Sequence, residues 1–413
     1  MKETVLLISL IAAVGLGIIS FTPPSPVSKI VLCNTCPPGF ELTDENTCKL
    51  RTLYQLYESD SGVVDAAVAE AGVGGLKTPL PPVRDGFTPQ QIDLGRYLFF
   101  DPALSKDGKL SCASCHQPDK GFSDGLKTSI GSDNKTLKRA APGLWNVAFY
   151  KKFFWDARAT TLEEQMTGPL YSTEEMGTTR EQLLETLNNI AEYKLLFKQA
   201  FPQKISNDIE LSEVYQCITA FESSLISLNS RYDQYAHGYH EALTIKEKEG
   251  LNIFRSFVAR CAECHTPPLF TNQQLAVIGL SEPDNLPLDP GAQTIFKDST
   301  LRGAFKVPSL RNIDLTAPYT HSGKFSTLRE MMEFYTLGRG HEVPSGENLH
   351  IHWHIWEPKL TSNELDRLVD FLKTLTDESF KPAVPERLPS GKLPLTKTHE
   401  NKNASLMQQP KPI

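Results

Sequence analysis

The chain has 413 residues, 40% apolar and 22% charged, with a formal net charge of −7. This is an ordinary globular balance, long enough for two domains plus extensions. No basic run is present, which argues against nucleic acid as a partner.

Residues 1–21 read as an export signal or membrane anchor, with Lys2 ahead of a continuous apolar stretch from Val5 to Phe21. No small-x-small cleavage site follows, and the stretch is near the lower limit for a span. Cleavage and retention are therefore both compatible with it. Either way the working part faces the periplasm or its equivalent, with membrane contact only through this segment. Residues 22–84 form a polar extension with one expected helix, Leu50 to Tyr57. From Thr88 the pattern turns helical, with a cap and an N1 proline before Ile92, Leu94 and Leu98. Further helices are expected at about 179–197, 211–228, 245–258, 327–335 and 362–375. Beyond Pro382 there is little to bury, and residues 381–413 read as a disordered tail.

Four of the eight cysteines lie in two Cys-x-x-Cys-His motifs, Cys112, Cys115, His116 and Cys261, Cys264, His265. Thiols at i and i+3 of a helical turn face the same way, so both can add to the vinyl groups of one haem. The histidine after them then supplies the proximal iron ligand. Composition alone would produce roughly 0.004 such motifs per chain, and two are present. The motifs imply two covalently bound haem c groups. The fold class is accordingly mainly α, with two cytochrome c-like haem domains joined by long loops: residues 85–240 for the first haem and 241–380 for the second.

The remaining cysteines, Cys33, Cys36, Cys48 and Cys217, suggest disulfides in an oxidising compartment. Cys36 with Cys48, leaving Cys33 for Cys217, is one of three pairings. Cys36 is followed by proline, so Cys33 and Cys36 do not make a third haem motif.

An electron carrier fills both axial positions of its iron, whereas a peroxidase leaves one open beneath a proton-transfer group. No histidine occurs between Gln117 and Ala236, so none nearby can close the first haem, and a carboxylate is the expected replacement. Met166 and Met176 are the alternatives as sixth ligands, and with one of them bound the chain would be a non-enzymatic carrier.

The runs Ala141–Asn146 (APGLWN), Phe153–Ala159 (FFWDARA), Leu162–Gln165 (LEEQ), Gly168–Pro169 and Glu175–Met176 resemble the bacterial di-haem cytochrome c peroxidase/MauG family. So do Lys306–Asn312 (KVPSLRN) and Ala317–Gly323 (APYTHSG), and the similarity covers about 88–378. The resemblance implies that Gln165, Pro169 and Glu175 line the open side of the first haem, with Glu175 moving the peroxide proton. It also implies that Trp155 lies between the haems as a relay. Fourteen residues beyond His321, where donor-fed members carry a methionine ligand, stands Tyr335, as in the MauG branch. A phenolate is hard and anionic and favours ferric and higher states, which makes the second haem a poor electron inlet. Met331, one turn earlier, is the competing ligand.

The family's interdomain calcium takes an asparagine where this chain has Ala140; the carbonyls of Lys306 and Pro308 remain as possible ligands. MauG's exit tryptophan is matched by Ala259, so holes must leave by another route. His350, His352 and His354, read as a strand, would share one face and bind a metal or simply form a polar face. The leading expectation is a hydrogen-peroxide-dependent enzyme oxidising a residue, tryptophan foremost, of a periplasmic partner protein. The alternative is a peroxidase fed by a small cytochrome c or cupredoxin.

Overall fold

The computed structural model describes residues 29–56 and 80–394, and its main folded unit begins at Leu32. The export segment, Tyr57 and the chain beyond residue 394 lie outside the described residues. Among the described residues no helix is long and apolar enough to cross a membrane.

A hairpin of β1 (Phe40–Leu42) and β2 (Cys48–Leu50) pairs Phe40 with Leu50 and is closed by a Cys36–Cys48 disulfide; the short α1 (Leu53–Leu56) comes next. The other expected bridge is not formed: Cys33 is exposed, with its N–H bonded to Asp93, while Cys217 is buried within a helix. Helix α2 (Pro89–Phe100) begins as its sequence dictates. Thr88 accepts from the Gln91 N–H, Gln91 returns a bond to the Thr88 N–H, and Pro89 occupies the first turn, where no N–H is needed. The first half continues through α3 (Cys112–Cys115), α4 (Leu162–Tyr171), α5 (Arg180–Asn189), α6 (Ala191–Ala200) and α7 (Leu211–Ser223). The second contains α8 (Arg231–Ala236), α9 (Ile245–Arg255), α10 (Cys261–Cys264), α11 (Gln293–Phe296), α12 (Leu328–Leu337) and α13 (Ser362–Lys373). Its small sheet pairs β3 (Leu275–Val277) with β4 (Ala304–Lys306), antiparallel. The fold is mainly α.

Side chains that compete with the helical ladder trim the expected helices. The expected 179–197 helix is two, because Asn188 bonds the carbonyls of Leu184 and Ile209 and accepts from the Ile209 N–H, and the chain turns extended at Ile190. The hydroxyls of Ser224, Ser256 and Thr374 each bond back to a carbonyl three residues earlier, where α7, α9 and α13 stop.

Two close helix crossings organise the halves, α2 on α7 and α9 on α13. Each depends on a glycine. A Cβ on Gly95 would lie 1.8 Å from the Cys217 carbonyl oxygen, and one on Gly250 would lie 1.9 Å from that of Arg367. Gly250→Ala must therefore push α9 from α13, with a loss of about 1–3 kcal/mol expected. A urea midpoint equal to that of the wild type would show that the crossing tolerates the methyl group.

A second regularity relates the halves at a displacement of 166 residues (308 − 142). Pro142, Leu144 and Asn146 recur as Pro308, Leu310 and Asn312, and Thr161-Leu162 recurs as Thr327-Leu328. The strand-like bridge of Phe153 to Ala159 recurs between Tyr319 and Phe325. Asn146 and Asn312 both adopt left-handed backbone, at φ 63° and 58°. Each ties down a distant segment with its amide, Asn146 exchanging two bonds with Ser227 and Asn312 two with Asp377.

The halves also share cores. Tyr232 and Ala236 of α8, expected before the boundary at residue 240, pack with Phe254, Phe270 and Phe371 of the second half. The expected disorder from residue 381 does not hold as far as 394. Leu388 is wholly buried in the first-half core beside Phe99, Phe100 and Trp145, Arg387 pairs with Glu192, and Ser390 donates to Asp101. Val384 packs against the same core, and Arg96 and Lys392 add bonds to the Ala383 and Gly108 carbonyls, so a few anchors hold a segment whose composition is otherwise that of a linker.

Candidate active site

The two haem motifs are built alike. His116 Nδ1 lies 2.8 Å from the carbonyl oxygen of Phe122, and His265 Nδ1 lies 3.2 Å from that of Phe270. Phe122 and Phe270 both have positive φ, which turns their carbonyls back onto the rings. A second carbonyl completes each set: that of Pro142 acts on His116, and that of Pro308 lies 3.1 Å from His265 Nδ1. Donation from Nδ1 fixes the tautomer and leaves Nε2 with a free lone pair. Burial keeps both rings neutral by lowering their pKa values, that of His265 to about 4. Two half-buried thiols and one oriented neutral imidazole at each motif are what a covalent haem requires.

Above the second motif lies a cavity of about 270 Å³ lined by Cys261, Cys264, His265, Met331, Tyr335 and Trp155. Burial pushes the Tyr335 phenol well up, and the Cys264 and Cys261 sulfurs lie near enough to add to it. Both candidate second-haem ligands thus reach the cavity. Under the 166-residue relation Gln165 and Pro169 of α4 correspond to Met331 and Tyr335 of α12. Both helices span ten residues and start from a threonine cap. The position that carries a phenol in one half carries a donorless ring in the other. Pro169 also removes the N–H that would have bonded the Gln165 carbonyl.

Glu174 and Glu175, adjacent in sequence, part company in space. Glu174 reaches outward to Lys135. Glu175 turns inward, close enough to raise the Cys115 thiol, and burial raises its own carboxyl while Arg158 opposes the rise. Arg158 also lies 3.4 Å over the Phe154 ring and bonds Asp156. Sequence reasoning assigns Arg158 no task; its only signal is its place in the Phe153–Ala159 run.

Trp155 donates from Nε1 to the Ala140 carbonyl at 2.9 Å and meets His321 edge-on at 6.4 Å. These two are counterparts under the same displacement (321 − 155). His321 Nε2 lies 2.8 Å from Glu282 and its ring stacks on Phe305 at 3.8 Å. His237, the first histidine after the first motif, is buried in the core with Nδ1 2.7 Å from the Asp233 carbonyl, and Met166 and Met176 are also buried.

Of the two carbonyls expected for calcium, that of Pro308 orients His265; the Lys306 side chain is half-buried, its pKa lowered to about 8 by burial and by Lys152. The expected histidine strand does not form either. His350 is exposed, while His352 and His354 turn toward Cys264 on an irregular loop held by a bond from the His352 N–H to the Val277 carbonyl.

The family model for di-haem cytochrome c peroxidase matches residues 89–241. The chain is 33% identical to cytochrome c551 peroxidase of Nitrosomonas europaea over 317 residues, covering 76% of this chain and 88% of that one. It is 31% identical over 328 residues to the methylamine utilization protein MauG of Methylorubrum extorquens, covering 79% and 90%. Among solved structures, a MauG-like protein associated with microbial copper homeostasis superposes with a TM-score of 0.68 at 32% identity, covering 75% of this chain and 97% of that one. The di-haem peroxidase BthA of Burkholderia thailandensis gives 0.62 at 26%, covering 77% and 95%. The chain therefore belongs to the di-haem cytochrome c peroxidase/MauG family, whose members are haem oxidoreductases acting on peroxide with two covalently attached c-type haems.

Proposed function

We propose that this peroxidase oxidises a residue, tryptophan foremost, on a partner protein outside the cytoplasm. The observation that carries the reading is the pairing of Pro169 with Tyr335 at equivalent positions of α4 and α12. Cys112, Cys115 and His116 would hold the first haem; Cys261, Cys264, His265 and Tyr335 would hold the second. The iron centres, when bound, supply the site of peroxide cleavage and a store for two oxidising equivalents.

The chain's own residues do the rest. The Pro169 ring offers no atom that could close the first site, so peroxide has room to enter. Glu175 takes the proton from one peroxide oxygen and returns it to the other, so that water leaves. Its burial raises proton affinity and Arg158 limits the rise, a balance suited to both halves of that transfer. Gln165 positions the reacting oxygen from the same side. Tyr335 disfavours electron entry from a small redox donor, and Trp155 links the two sites. Each peroxide becomes two waters at the expense of two electrons and two protons from the partner. MauG relatives, and the copper-homeostasis relative among solved structures, accord with this branch.

The ferric holoprotein should show one high-spin haem and no methionine–iron charge-transfer band. Stoichiometric peroxide without donor should leave both oxidising equivalents stored long enough to record. Two low-spin haems inert to peroxide would reduce the protein to a carrier. Rapid steady-state turnover with reduced cytochrome c would favour the donor-fed alternative.

A further inference from the structure

We propose that Phe257, Val258 and Trp353, grouped around Arg260, form the face on which the partner protein docks. An acidic side chain of the partner meets the Arg260 guanidinium. The inference rests on the reading that a partner protein is oxidised, and it names where that partner sits. Phe257 is 85% exposed, Val258 47% and Trp353 65%. Large apolar side chains gathered in the open about one arginine are uncommon on a soluble protein, and they mark places where another surface lands.

The face is exposed without being loose. Helix α9 stops at Arg255. The turn after it is tied by bonds from the Ala259 N–H to the Ser256 hydroxyl and from the Arg260 N–H to the Ser256 carbonyl. Trp356 Nε1 donates to the Val258 carbonyl at 2.9 Å, joining this turn to the loop that carries Trp353. The Arg260 guanidinium lies 5.7 Å over the Trp353 ring and 5.3 Å over that of Trp356, within cation–π range. Its Nε donates to the Phe257 carbonyl, and no carboxylate among the described residues pairs with it. Aromatic side chains and arginine, held in place beforehand, are the groups that carry most binding energy at protein interfaces.

Position ties the face to the chemistry. Arg260 immediately precedes Cys261, so a partner seated here lies beside the second haem motif. Arg260 and Trp356 border the cavity that the haem would fill, whereas Phe257, Val258 and Trp353 are not part of its wall. Filling the cavity therefore leaves their exposure unchanged. Haem propionates leave the porphyrin edge opposite the vinyl groups that the cysteines take, so the haem brings no carboxylate to Arg260. Ala259 offers nothing to oxidise, and Trp353 is the indole that the face presents.

The test uses haem-loaded protein and two synthetic peptides, each a tryptophan among apolar residues, flanked in one by aspartates and in the other by lysines. Calorimetry should show binding of the acidic peptide alone, weakened about 10-fold or more in Phe257→Ser and Trp353→Ser. Arg260→Glu should reverse the preference toward the lysine-flanked peptide. If Arg260→Glu lowers haem content, Phe257→Ser and Trp353→Ser decide. With peroxide, the bound acidic peptide should gain one oxygen atom at its indole while the other peroxide oxygen leaves as water. An acidic peptide that binds as described but stays unoxidised would sink the oxidation reading and leave the docking face standing. Binding that is absent, or undiminished in Phe257→Ser and Trp353→Ser, overturns the docking face, whether or not the peptide is oxidised. So does a holoprotein dimer that Phe257→Ser dissociates, since a second copy would then occupy the face.

Discussion

Glu175→Gln is expected to slow the reaction of the ferric protein with hydrogen peroxide by about 10²-fold or more. The amide matches the carboxylate in size but cannot accept the peroxide proton. Glu175 is the inward member of its pair, raised by burial and opposed by Arg158, whereas Glu174 is committed to Lys135. Glu174→Gln should therefore leave the rate within a factor of about two, since it alters only an exposed ion pair. Stopped-flow absorbance on haem-replete protein measures both. Equal rates for wild type and Glu175→Gln would remove the proton-transfer role, while equal losses in both variants would point to a general electrostatic effect.

The second large effect is on stability. Arg311 and Asp233 form a two-pronged ion pair with no side-chain exposure, Nη1 to Oδ2 at 2.6 Å and Nη2 to Oδ1 at 2.7 Å. Tyr54 donates to the same carboxylate at 2.6 Å, and Arg311 Nε bonds the Pro268 carbonyl at 2.8 Å. The pair thus joins the N-terminal extension, α8 and the segment carrying His265. Arg311→Met leaves a buried carboxylate without its counter-charge and should cost about 3–5 kcal/mol in chemical denaturation. Burial alone would raise the Asp233 carboxyl, but Arg311 and the hydrogen bonds hold it below the ordinary value. Its contribution is therefore present in full above the unfolded carboxyl pKa of about 3.9 and is lost as pH falls through the lower folded value. Arg311 stays charged throughout. The wild type should lose stability on acidification across that window, and Asp233→Asn should show a shallower loss there. Parallel pH profiles would contradict the assignment.

Local chemistry was legible from the chain. Two Cys-x-x-Cys-His motifs need only consecutive residues on one turn, and the caps at Thr88, Thr161 and Thr327 arise from hydroxyls placed three residues before their partners. The mainly helical class was legible from periodicity, whereas the Cys36–Cys48 bridge was one of three pairings the sequence left open. The internal relation was also written in the sequence, as Pro-x-Leu-x-Asn at 142–146 and 308–312. It is too short to stand out until the structure gives both asparagines the same task.

What the tertiary structure decided is which neighbour in sequence faces inward. Glu174 and Glu175 are indistinguishable by type, and only packing turns one toward Cys115. The three histidines from 350 to 354 suggested a strand face. A bond from one of them to the distant Val277 carbonyl instead folds two of them onto Cys264. Likewise the chain near Leu388 lacks the composition of a core segment, yet Leu388, with Val384 beside it, found a site among Phe99, Phe100 and Trp145. Short-range geometry is fixed by covalent spacing and can be read directly. The direction a side chain finally takes depends on partners far along the chain, whose burial and hydrogen bonds outweigh local preference.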